Sequence, residues 1–237
     1  MTTKNLLVEL FVEELPPKAL KKLGEAFAQL LFDSLKFSRL IPGDDIVTAF
    51  ASPRRLAVHI VGVLAQAPDA QVIHKLMPES VGLDATGNAT PALLKKLGAL
   101  GADASVVPNL RRNNGVLMYD SQARGATLAE GLQKALLETI AKLPIPKVMS
   151  YQLESGCELP GWSSVSFVRP AHGLVALHGS DVVKVEALGL QAGNVTHGHR
   201  FEAAVDPVVL KDADSYAATL AKDGAVIASF AERKAEI

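Results

Sequence analysis

The sequence predicts an α+β fold, in which mixed or antiparallel sheets pack against helices in two subdomains. Three observations carry this prediction. An apolar run over 6–12 precedes leucines at helical spacing and two further apolar runs, which is a β-α-β-β order. Thr127 and Glu130 form a Thr-x-x-Glu capping box that opens a later helix. Pro144 and Pro146 stand two residues apart, which no helix interior accommodates, so that helix must end before them.

The β-α-β-β order at the start of the chain is the first half of a split βαβ layout. The first strand is expected to be central in its sheet, because it is apolar nearly throughout. The predicted strands cover 6–12, 47–51 and 56–64, with a turn at 52–55. The predicted helix begins near Pro17, and 42–45 breaks it.

The middle of the chain, 66–126, has a less regular pattern. Thr90-Pro91 is a helix-start signal. The elements predicted in this region are a helix over 92–100, a strand over 116–121, and turns at 82–87 and 111–115.

The second predicted subdomain covers 159–237 and the first covers 1–158, because a Gly/Ser-rich insert separates their patterns. Short strands are predicted over 174–177 and 182–190, and a loop or strand end over 196–201. Asp214 is predicted to cap a helix over 215–222. An amphipathic pattern then runs from Ala225 to Ile237 with no stop signal, which predicts that the natural chain continues.

The composition limits the function classes. The chain has 24 Lys and Arg against 25 Asp and Glu, so RNA contact requires a local basic patch. Cys157 is the only cysteine, which excludes an intrachain disulfide and fits a cytoplasmic protein. No run of 18 apolar residues predicts a membrane span. No Walker, Rossmann or Gly-x-Ser-x-Gly pattern is present.

Four of the six histidines lie close together in sequence and raise a metal-site alternative. They are His172, His178, His197 and His199. The spacing lacks a His-x-x-x-His pair and a cysteine partner, which favours structural roles. Arg169 and Arg200 lie among apolar residues and histidines, where a guanidinium needs a planar partner. A phosphate, an internal carboxylate and a carboxylate on another subunit all remain open as that partner.

Several motifs together resemble the beta subunit of bacterial tetrameric (α2β2) glycyl-tRNA synthetase, in the family's order and over essentially the whole chain. They are Leu7-Val8-Glu9-Leu10, Glu13-Glu14-Leu15-Pro16-Pro17-Lys18, Ser52-Pro53-Arg54-Arg55-Leu56-Ala57-Val58, Lys142-Leu143-Pro144-Ile145-Pro146-Lys147, Phe167-Val168-Arg169-Pro170 with His172, and Gly198-His199-Arg200-Phe201. The chain departs from the family twice. Ser150-Tyr151 stands where the family has Arg-Trp, and Leu76-Met77-Pro78 stands where it has Lys-Gly-Pro.

The resemblance implies a ligase that joins glycine to its tRNA with ATP and Mg. It implies that the alpha subunit forms the adenylate, that the beta subunit recognises tRNA, and that this fragment carries no catalytic residue, no metal and no cofactor of its own. Its partners would be the alpha subunit and the glycine-specific tRNA. The residues expected to contact tRNA or the other subunit are Arg54, Arg55, Lys142, Lys147, Arg169, His172, His199 and Arg200. The alternatives are an interaction module without an RNA role and a metal hydrolase built on the histidines.

Overall fold

The structure is a computed structural model that describes residues 2–43 and 46–237. The predicted helix break at 42–45 therefore lies partly outside the described residues, at Asp44 and Asp45. The chain forms two compact units. Unit 1 comprises Met1–Ala67 and Ala126–Ile237, and unit 2 comprises Pro68–Gly125.

The α+β prediction is confirmed by helices and antiparallel sheets along the described chain. The strands are β1 (Thr3–Val12), β2 (Val47–Ser52), β3 (Arg55–Leu64), β4 (Ala70–Pro78), β5 (Arg111–Asn113), β6 (Val116–Ala123), β7 (Met149–Gln152), β8 (Ser164–Phe167), β9 (Ala171–His178), β10 (Asp181–Val182), β11 (Glu186–Ala187), β12 (Leu190–Gln191), β13 (Val195–Thr196) and β14 (Val208–Val209). The helices are α1 (Pro17–Phe37), α2 (Glu79–Gly82), α3 (Pro91–Ala99), α4 (Leu128–Lys142), α5 (Tyr216–Lys222) and α6 (Phe230–Glu236), with a 3-10 helix over Ala104–Asn109.

The main sheet of unit 1 has the strand order β10-β9-β1-β3-β2, and all neighbouring strands are antiparallel. Because β3 lies between β1 and β2, the β1-α1-β2 crossover is split by one strand, as the sequence predicts. β1 pairs with β3 on one side and with β9 on the other. The prediction that β1 is central is therefore confirmed.

One face of this sheet packs against α1 and α4. Successive side chains of a strand point to opposite faces, so alternate residues of β1 share this side. Among them, Leu6 and Leu10 join a buried cluster that includes Leu23 and Phe27 of α1 and Leu132 of α4. The two longest helices of the described chain are therefore held on the sheet by apolar contacts.

The predicted capping box begins α4. The Thr127 hydroxyl accepts a hydrogen bond from the Glu130 amide at 3.3 Å, and the Glu130 carboxylate accepts one from the Thr127 amide at 2.8 Å. The helix ends at Lys142, ahead of Pro144. The two local signals in the sequence thus set both ends of this helix.

The other face of the sheet packs against the last part of the chain. Leu7 of β1 and Val175 of β9 join a second buried cluster with Leu210 and with Tyr216 of α5. Because both faces of β1 are covered, its long apolar run has a direct explanation. Glu9, in the same strand and fully buried, is the exception.

Unit 2 is a small α+β unit with its own core. β4, β6 and β5 form an antiparallel sheet in that order. Leu93 and Leu97 of α3 pack with Leu76 of β4 and Leu117 of β6. The predicted start of α3 is confirmed, because the Thr90 hydroxyl accepts from the Leu93 amide.

The compact units divide the chain elsewhere than the predicted boundary after residue 158. Chain contacts place 126–237 with the N-terminal part, since β9 pairs with β1 along Leu6–Val12. The sequence shows 66–126 as a stretch of less regular pattern, but it does not show that 68–125 has a core of its own. The subdivision after residue 158 stays a prediction.

Three local predictions are wrong. The predicted turn at 111–115 holds strand β5, and only Asn114 and Gly115 turn, with positive φ angles. The predicted strand over 182–190 breaks at Leu188 and Gly189, which also have positive φ angles, so β11 and β12 form a hairpin instead. Asp214 does not cap α5, because its carboxylate binds the side chains of other segments.

Two predicted helix boundaries also shift. Ser215 is the N-cap of α5 and makes no side-chain capping bond, while Asp212 accepts a hydrogen bond from the Ser215 amide at 2.8 Å. The last helix begins at Phe230 rather than Ala225. Its N-cap is Ser229, whose hydroxyl accepts from the amide of the third helical residue at 3.2 Å.

Candidate functional site

The turn between β2 and β3 presents Arg54 and Arg55 on a fixed backbone. The Pro53 carbonyl accepts a hydrogen bond from the Leu15 amide at 2.6 Å, and the Arg54 carbonyl accepts one from the Val12 amide at 2.8 Å. These bonds join the turn to the last residue of β1 and to the segment that follows it. Both arginine side chains are thereby held beside the end of β1.

Glu9 is a charged residue in the middle of an apolar strand, and it is fully buried. The hydroxyls of Thr196 and Tyr216 donate to its two carboxylate oxygens, and Arg55 Nε lies 3.4 Å from its Oε2. Burial, and then the charge of Glu9, raise the pKa of Tyr216 well above its usual value. The phenol therefore keeps its proton and donates a hydrogen bond to the carboxylate.

Arg55 is also buried, with 1% of its surface exposed. Its Nη2 donates to the His197 carbonyl. Its Nε is near the Glu9 carboxylate but is not aligned for a hydrogen bond, so the contact is electrostatic. Within the described residues, neither Nε nor Nη1 has a hydrogen-bond partner. A buried guanidinium is thus left with unused donors, which native proteins rarely tolerate.

A cavity of ≈ 400 Å³ is lined by Arg55, and we name it the basic pocket. Its walls come from the β2–β3 turn, the loop before Phe201, the segment before α6, and α6 itself. The lining residues are Glu14, Ser52, Pro53, Arg54, Arg55, Gly198, His199, Arg200, Phe201, Ala225, Val226, Ile227 and Arg233. Among these described residues, four arginines and one carboxylate residue line the pocket. Arg54 and Arg55 also have carboxylate partners outside the lining, in Glu13 and Glu9, so the excess positive charge is smaller than the four arginines alone suggest.

Arg233 of α6 is fixed at the basic pocket through backbone carbonyls. Its Nη2 donates to the Ala51 carbonyl at 2.7 Å and its Nη1 donates to the Ile227 carbonyl at 2.8 Å. Burial, and then the positive charge of Arg55, lower the pKa of Arg233. The two guanidinium groups therefore repel each other, and an anion in the pocket would relieve that repulsion.

A second group of basic side chains contacts the segment Glu13–Glu14. Glu13 Oε1 lies 3.5 Å from Arg54 Nη2 and 3.0 Å from His172 Nε2. Arg169 Nε donates to the Glu14 carbonyl at 3.0 Å. Arg54 belongs to this group and to the basic pocket, so the two groups are continuous.

The structure brings six of the eight predicted contact residues together and separates two. Arg54, Arg55, His199 and Arg200 line the basic pocket, and Arg169 and His172 contact Glu13–Glu14. Lys142 lies at the end of α4, with its Nζ 3.6 Å from Glu138 Oε2. Lys147 is exposed in the segment between α4 and β7. Their roles as contacts stay predictions.

The four clustered histidines have separate partners. His178 Nε2 donates to the Val63 carbonyl at 2.8 Å, and His197 Nδ1 lies 2.9 Å from Asp206 Oδ1. Across 2–43 and 46–237, no group of three or more His, Cys, Asp or Glu side chains is placed to hold a metal ion. The metal alternative therefore has no ligand set among these residues.

One of the two departures from the resemblance, Ser150-Tyr151, has structural contacts in the β7–β8 hairpin. The Ser150 and Ser166 hydroxyls lie 2.7 Å apart across the hairpin. The Tyr151 hydroxyl accepts a hydrogen bond from the Ala171 amide at 3.1 Å, and burial raises the pKa of Tyr151. These two residues thus connect the hairpin internally and to β9.

Sequence reasoning missed four residues of this site: Glu9, Thr196, Tyr216 and Arg233. The signal for Glu9 was present, because a charge in the middle of a central apolar strand requires a buried partner. The other three gave no usable signal. They are distant in sequence, and only the folded chain places Thr196 and Tyr216 on Glu9 and Arg233 at the pocket.

Comparison with known proteins identifies the family. The family model described as "Glycyl-tRNA synthetase beta subunit" matches residues 6–237. Proteins named glycine–tRNA ligase beta subunit are 68% identical in Paracidovorax citrulli (strain AAC00-1), 69% in Polaromonas naphthalenivorans (strain CJ2) and 67% in Dechloromonas aromatica (strain RCB). Each alignment covers 100% of this chain and 34% of the relative.

The matches define a component of the aminoacyl-tRNA synthetases. The chain belongs to the glycyl-tRNA synthetase beta subunit family, which confirms the resemblance drawn from the sequence motifs. It spans about a third of the length of the curated relatives it matches, since 34% of each is covered. Among the described residues, no helix combines the length and apolar character needed to cross a membrane.

Proposed function

We propose that this chain is part of the beta subunit of a glycine–tRNA ligase and that it contacts the tRNA through the basic pocket. The ligase attaches glycine to its tRNA with ATP. Family membership supports the reaction, because the relatives carry that name. The observation that carries the RNA contact is the grouping of six predicted basic and imidazole residues around the basic pocket and the adjoining Glu13–Glu14 segment.

The physical basis of the contact is local charge. The whole chain has a net charge of −1, so it offers no general attraction for RNA. The basic pocket differs from this average, because four arginines line it. Exposed Phe201, at 82% exposure, lies at the same surface and offers an aromatic face on which a base can stack.

The chemistry of activation is assigned to the other subunit. We propose an α2β2 enzyme in the cytoplasm, in which the alpha subunit binds ATP with Mg and forms the adenylate. This chain then supplies no nucleophile and no general base to that step. Its contribution is to position the tRNA, and positioning alone changes rates strongly when reactants must be aligned.

The test compares two double variants in the assembled enzyme. Arg54→Gln with Arg200→Gln removes two charges from the basic pocket, and Arg112→Gln with Arg124→Gln removes two from unit 2. Filter binding at several salt concentrations measures the affinity for glycine-specific tRNA. We expect the pocket variant to bind about tenfold or more weakly and its salt slope to fall by about 1 per lost phosphate contact.

The control variant is expected to bind like wild type. Equal losses of tRNA affinity in the two variants would show that the total charge of the chain, rather than the basic pocket, determines the affinity. No loss in either variant would exclude tRNA contact at the basic pocket. Aminoacylation by the alpha and beta subunits is measured on the same preparations. A folded pocket variant that charges tRNA normally would contradict the proposal.

A second candidate role, assembly with the alpha subunit, is favoured by a different surface. Trp162 and Leu159, in the connection between β7 and β8, are 87% and 60% exposed. Exposed large apolar side chains are typical of protein interfaces. Size-exclusion chromatography of the chain mixed with the alpha subunit tests this role. Co-elution that Trp162→Ser abolishes and Arg200→Gln leaves intact supports it, whereas separate elution of the wild type excludes it.

A further inference from the structure

Arg55 is a buried arginine with donors that the protein does not use. It lines the basic pocket, and its Nε and Nη1 have no hydrogen-bond partner among the described residues. Leaving a buried donor unsatisfied is unfavourable, and more so for a charged group. The Glu9 carboxylate does not remove this deficit, because its Oε2, 3.4 Å from Arg55 Nε, is not aligned to accept that hydrogen bond. These donor atoms are enclosed, so an acceptor in the pocket reaches them through a shift of the Arg55 side chain at the pocket wall.

Other arginines add donors and charge at the same place. Arg54 Nε is also buried without a hydrogen-bond partner among the described residues. Arg233 is held by backbone carbonyls, and Arg200 lines the pocket from the loop before Phe201. The arginines of the lining outnumber its single carboxylate residue, Glu14. Glu9 and Glu13 lie beside Arg55 and Arg54, so the uncompensated positive charge comes from Arg200 and Arg233. The pocket therefore favours an anion with several acceptor oxygens.

The geometry points to a phosphate group as that ligand. We propose that the basic pocket binds a phosphate group through Arg55 and Arg54, with Arg200 and Arg233 supplying further positive charge. A carboxylate has two oxygens in one plane, so it satisfies one guanidinium fork well. Unused donors on two different arginines call for an acceptor whose oxygens point in several directions. The tetrahedral phosphate has this shape, and arginine forks match it.

The phosphate has two possible sources, an RNA phosphodiester and free phosphate. Binding of an RNA phosphodiester at the basic pocket rests on the proposed tRNA contact. Binding of free phosphate does not depend on that contact. An experiment can therefore exclude the tRNA contact without excluding the phosphate site.

The first measurement is isothermal titration of the whole chain with inorganic phosphate at constant ionic strength, with acetate titrated in parallel. We expect phosphate to bind more tightly than acetate. Arg200→Gln should weaken phosphate binding about tenfold, because it removes a positive charge from the pocket lining. Arg124→Gln, an exposed arginine of unit 2, should leave it unchanged. Phosphate that binds no better than acetate, or that is weakened equally by both variants, overturns the inference.

Arg55→Lys is the second variant, and circular dichroism first confirms that it folds. Lysine keeps the charge beside Glu9 but lacks the planar fork. We expect its phosphate affinity to fall at least as far as that of Arg200→Gln. Unchanged affinity in folded Arg55→Lys would mean that the unused donors of Arg55 do not bind phosphate, and it would overturn the inference.

Competition between tRNA and phosphate then identifies whether the phosphate group that the pocket binds belongs to RNA or is free phosphate. Glycine-specific tRNA is added to the phosphate-bound chain, and release of phosphate is followed by ³¹P NMR. Displacement by tRNA supports an RNA phosphodiester as the ligand. Retention of phosphate while tRNA binds elsewhere supports free phosphate, and it excludes the proposed tRNA contact at this pocket while leaving the phosphate site in place.

Discussion

Two Arg-Arg dipeptides, each at a β-hairpin, have opposite surroundings in this protein. In unit 1, Arg55 is 1% exposed and has donors without partners among the described residues. In unit 2, the side chain of Arg112 is 61% exposed and lies 2.9 Å from Glu79, and Arg111 lies 3.2 Å from Asp120. The same dipeptide is thus a buried, incompletely paired group in one unit and a solvated ion pair in the other.

The difference shows what a buried charge contributes. Exposed ion pairs such as that of Arg112 stabilise a fold by about 0–1 kcal/mol, since water already solvates both groups. The Glu9–Arg55 pair is withdrawn from water, so each charge depends on the other and on Tyr216 and Thr196. Four predictions test this comparison, from the largest expected effect to the smallest.

Arg55→Met and Arg112→Met apply one substitution to both dipeptides. Arg55→Met leaves the Glu9 carboxylate buried without its cationic partner, and we expect it to lower the free energy of unfolding by about 3–5 kcal/mol. Arg112→Met should lower it by less than about 1 kcal/mol. Urea unfolding followed by circular dichroism measures both. Similar losses in the two variants would refute the contrast between the dipeptides.

Tyr216→Phe removes one donor from Glu9, and we expect a loss of about 1–3 kcal/mol in the free energy of unfolding. The folded-state pKa of Tyr216 is raised, so the contribution of its O–H is complete below the usual tyrosine pKa of about 10 and shrinks as the pH rises through the folded-state pKa. The stability difference between Tyr216→Phe and wild type, measured by urea unfolding, should therefore be constant below the usual tyrosine pKa of about 10 and should shrink at higher pH.

Tyr119→Phe in β6 is the matched control for that experiment. Within the described residues, Tyr119 has a ring contact with His74 but no hydrogen bond from its hydroxyl. We expect a change within about 0.5 kcal/mol, as for substitutions that remove no such interaction. If Tyr119→Phe and Tyr216→Phe cost the same, the Glu9 bond contributes nothing measurable.

Gly24→Ala and Gly98→Ala compare helix packing in the two units. A Cβ on Gly24 would lie 2.5 Å from the Cβ of Ala51, whereas a Cβ on Gly98 would meet nothing within 4 Å. We expect Gly24→Ala to destabilise by about 1–3 kcal/mol through overpacking. Gly98→Ala should stabilise by about 0.5–1 kcal/mol, because alanine favours the helix. Thermal unfolding of both variants checks the signs, and equal signs would contradict the prediction.

Asp214→Asn tests the smallest effect, in a partly exposed group. The hydrogen bond from Asn5, and then that from His59, lower the pKa of Asp214. Its contribution is therefore present above the usual pKa of about 3.9 and is lost as the pH falls through the folded-state pKa. We expect a deficit below about 1 kcal/mol at neutral pH.

The urea midpoint of Asp214→Asn is measured from neutral pH down into the acid range. The variant should converge with wild type once the carboxyl is protonated. Asp84→Asn in unit 2 is the comparison. The pKa of Asp84 is lowered first by the Thr86 hydroxyl, which lies two residues away in the same loop, whereas the partners of Asp214 lie in distant segments. A deficit of Asp214→Asn that persists unchanged in acid would rule out the charged form as its cause.

The elements that rest on local patterns were predictable from the sequence. β1, α1 and α4 have long apolar periodicities, and Thr127 and Glu130 form the capping box that their spacing predicts. Elements whose boundaries depend on backbone conformation were not predictable. The hairpin at Leu188 needs a non-glycine residue with positive φ, which propensity disfavours and tertiary contacts impose.

The candidate site divides in the same way. Sequence motifs of a recognised family supplied Arg54, Arg55, Arg169 and Arg200 as basic residues, but they left the partners of the guanidinium groups open. Folding decided which of them meet. Lys142 pairs with a glutamate on its own helix, whereas Arg200 shares a pocket with Arg55.

The sequence by itself determined the family, the α+β class and the central position of β1, because motif order and apolar periodicity are carried by neighbouring residues. Only the tertiary structure decided that Arg54-Arg55 differs from Arg111-Arg112, that Tyr216 binds a carboxylate 207 positions away, and that 68–125 forms its own unit. The physical reason is that burial and hydrogen-bond partners depend on distant segments. A charge acquires its role from the residues that exclude water from it.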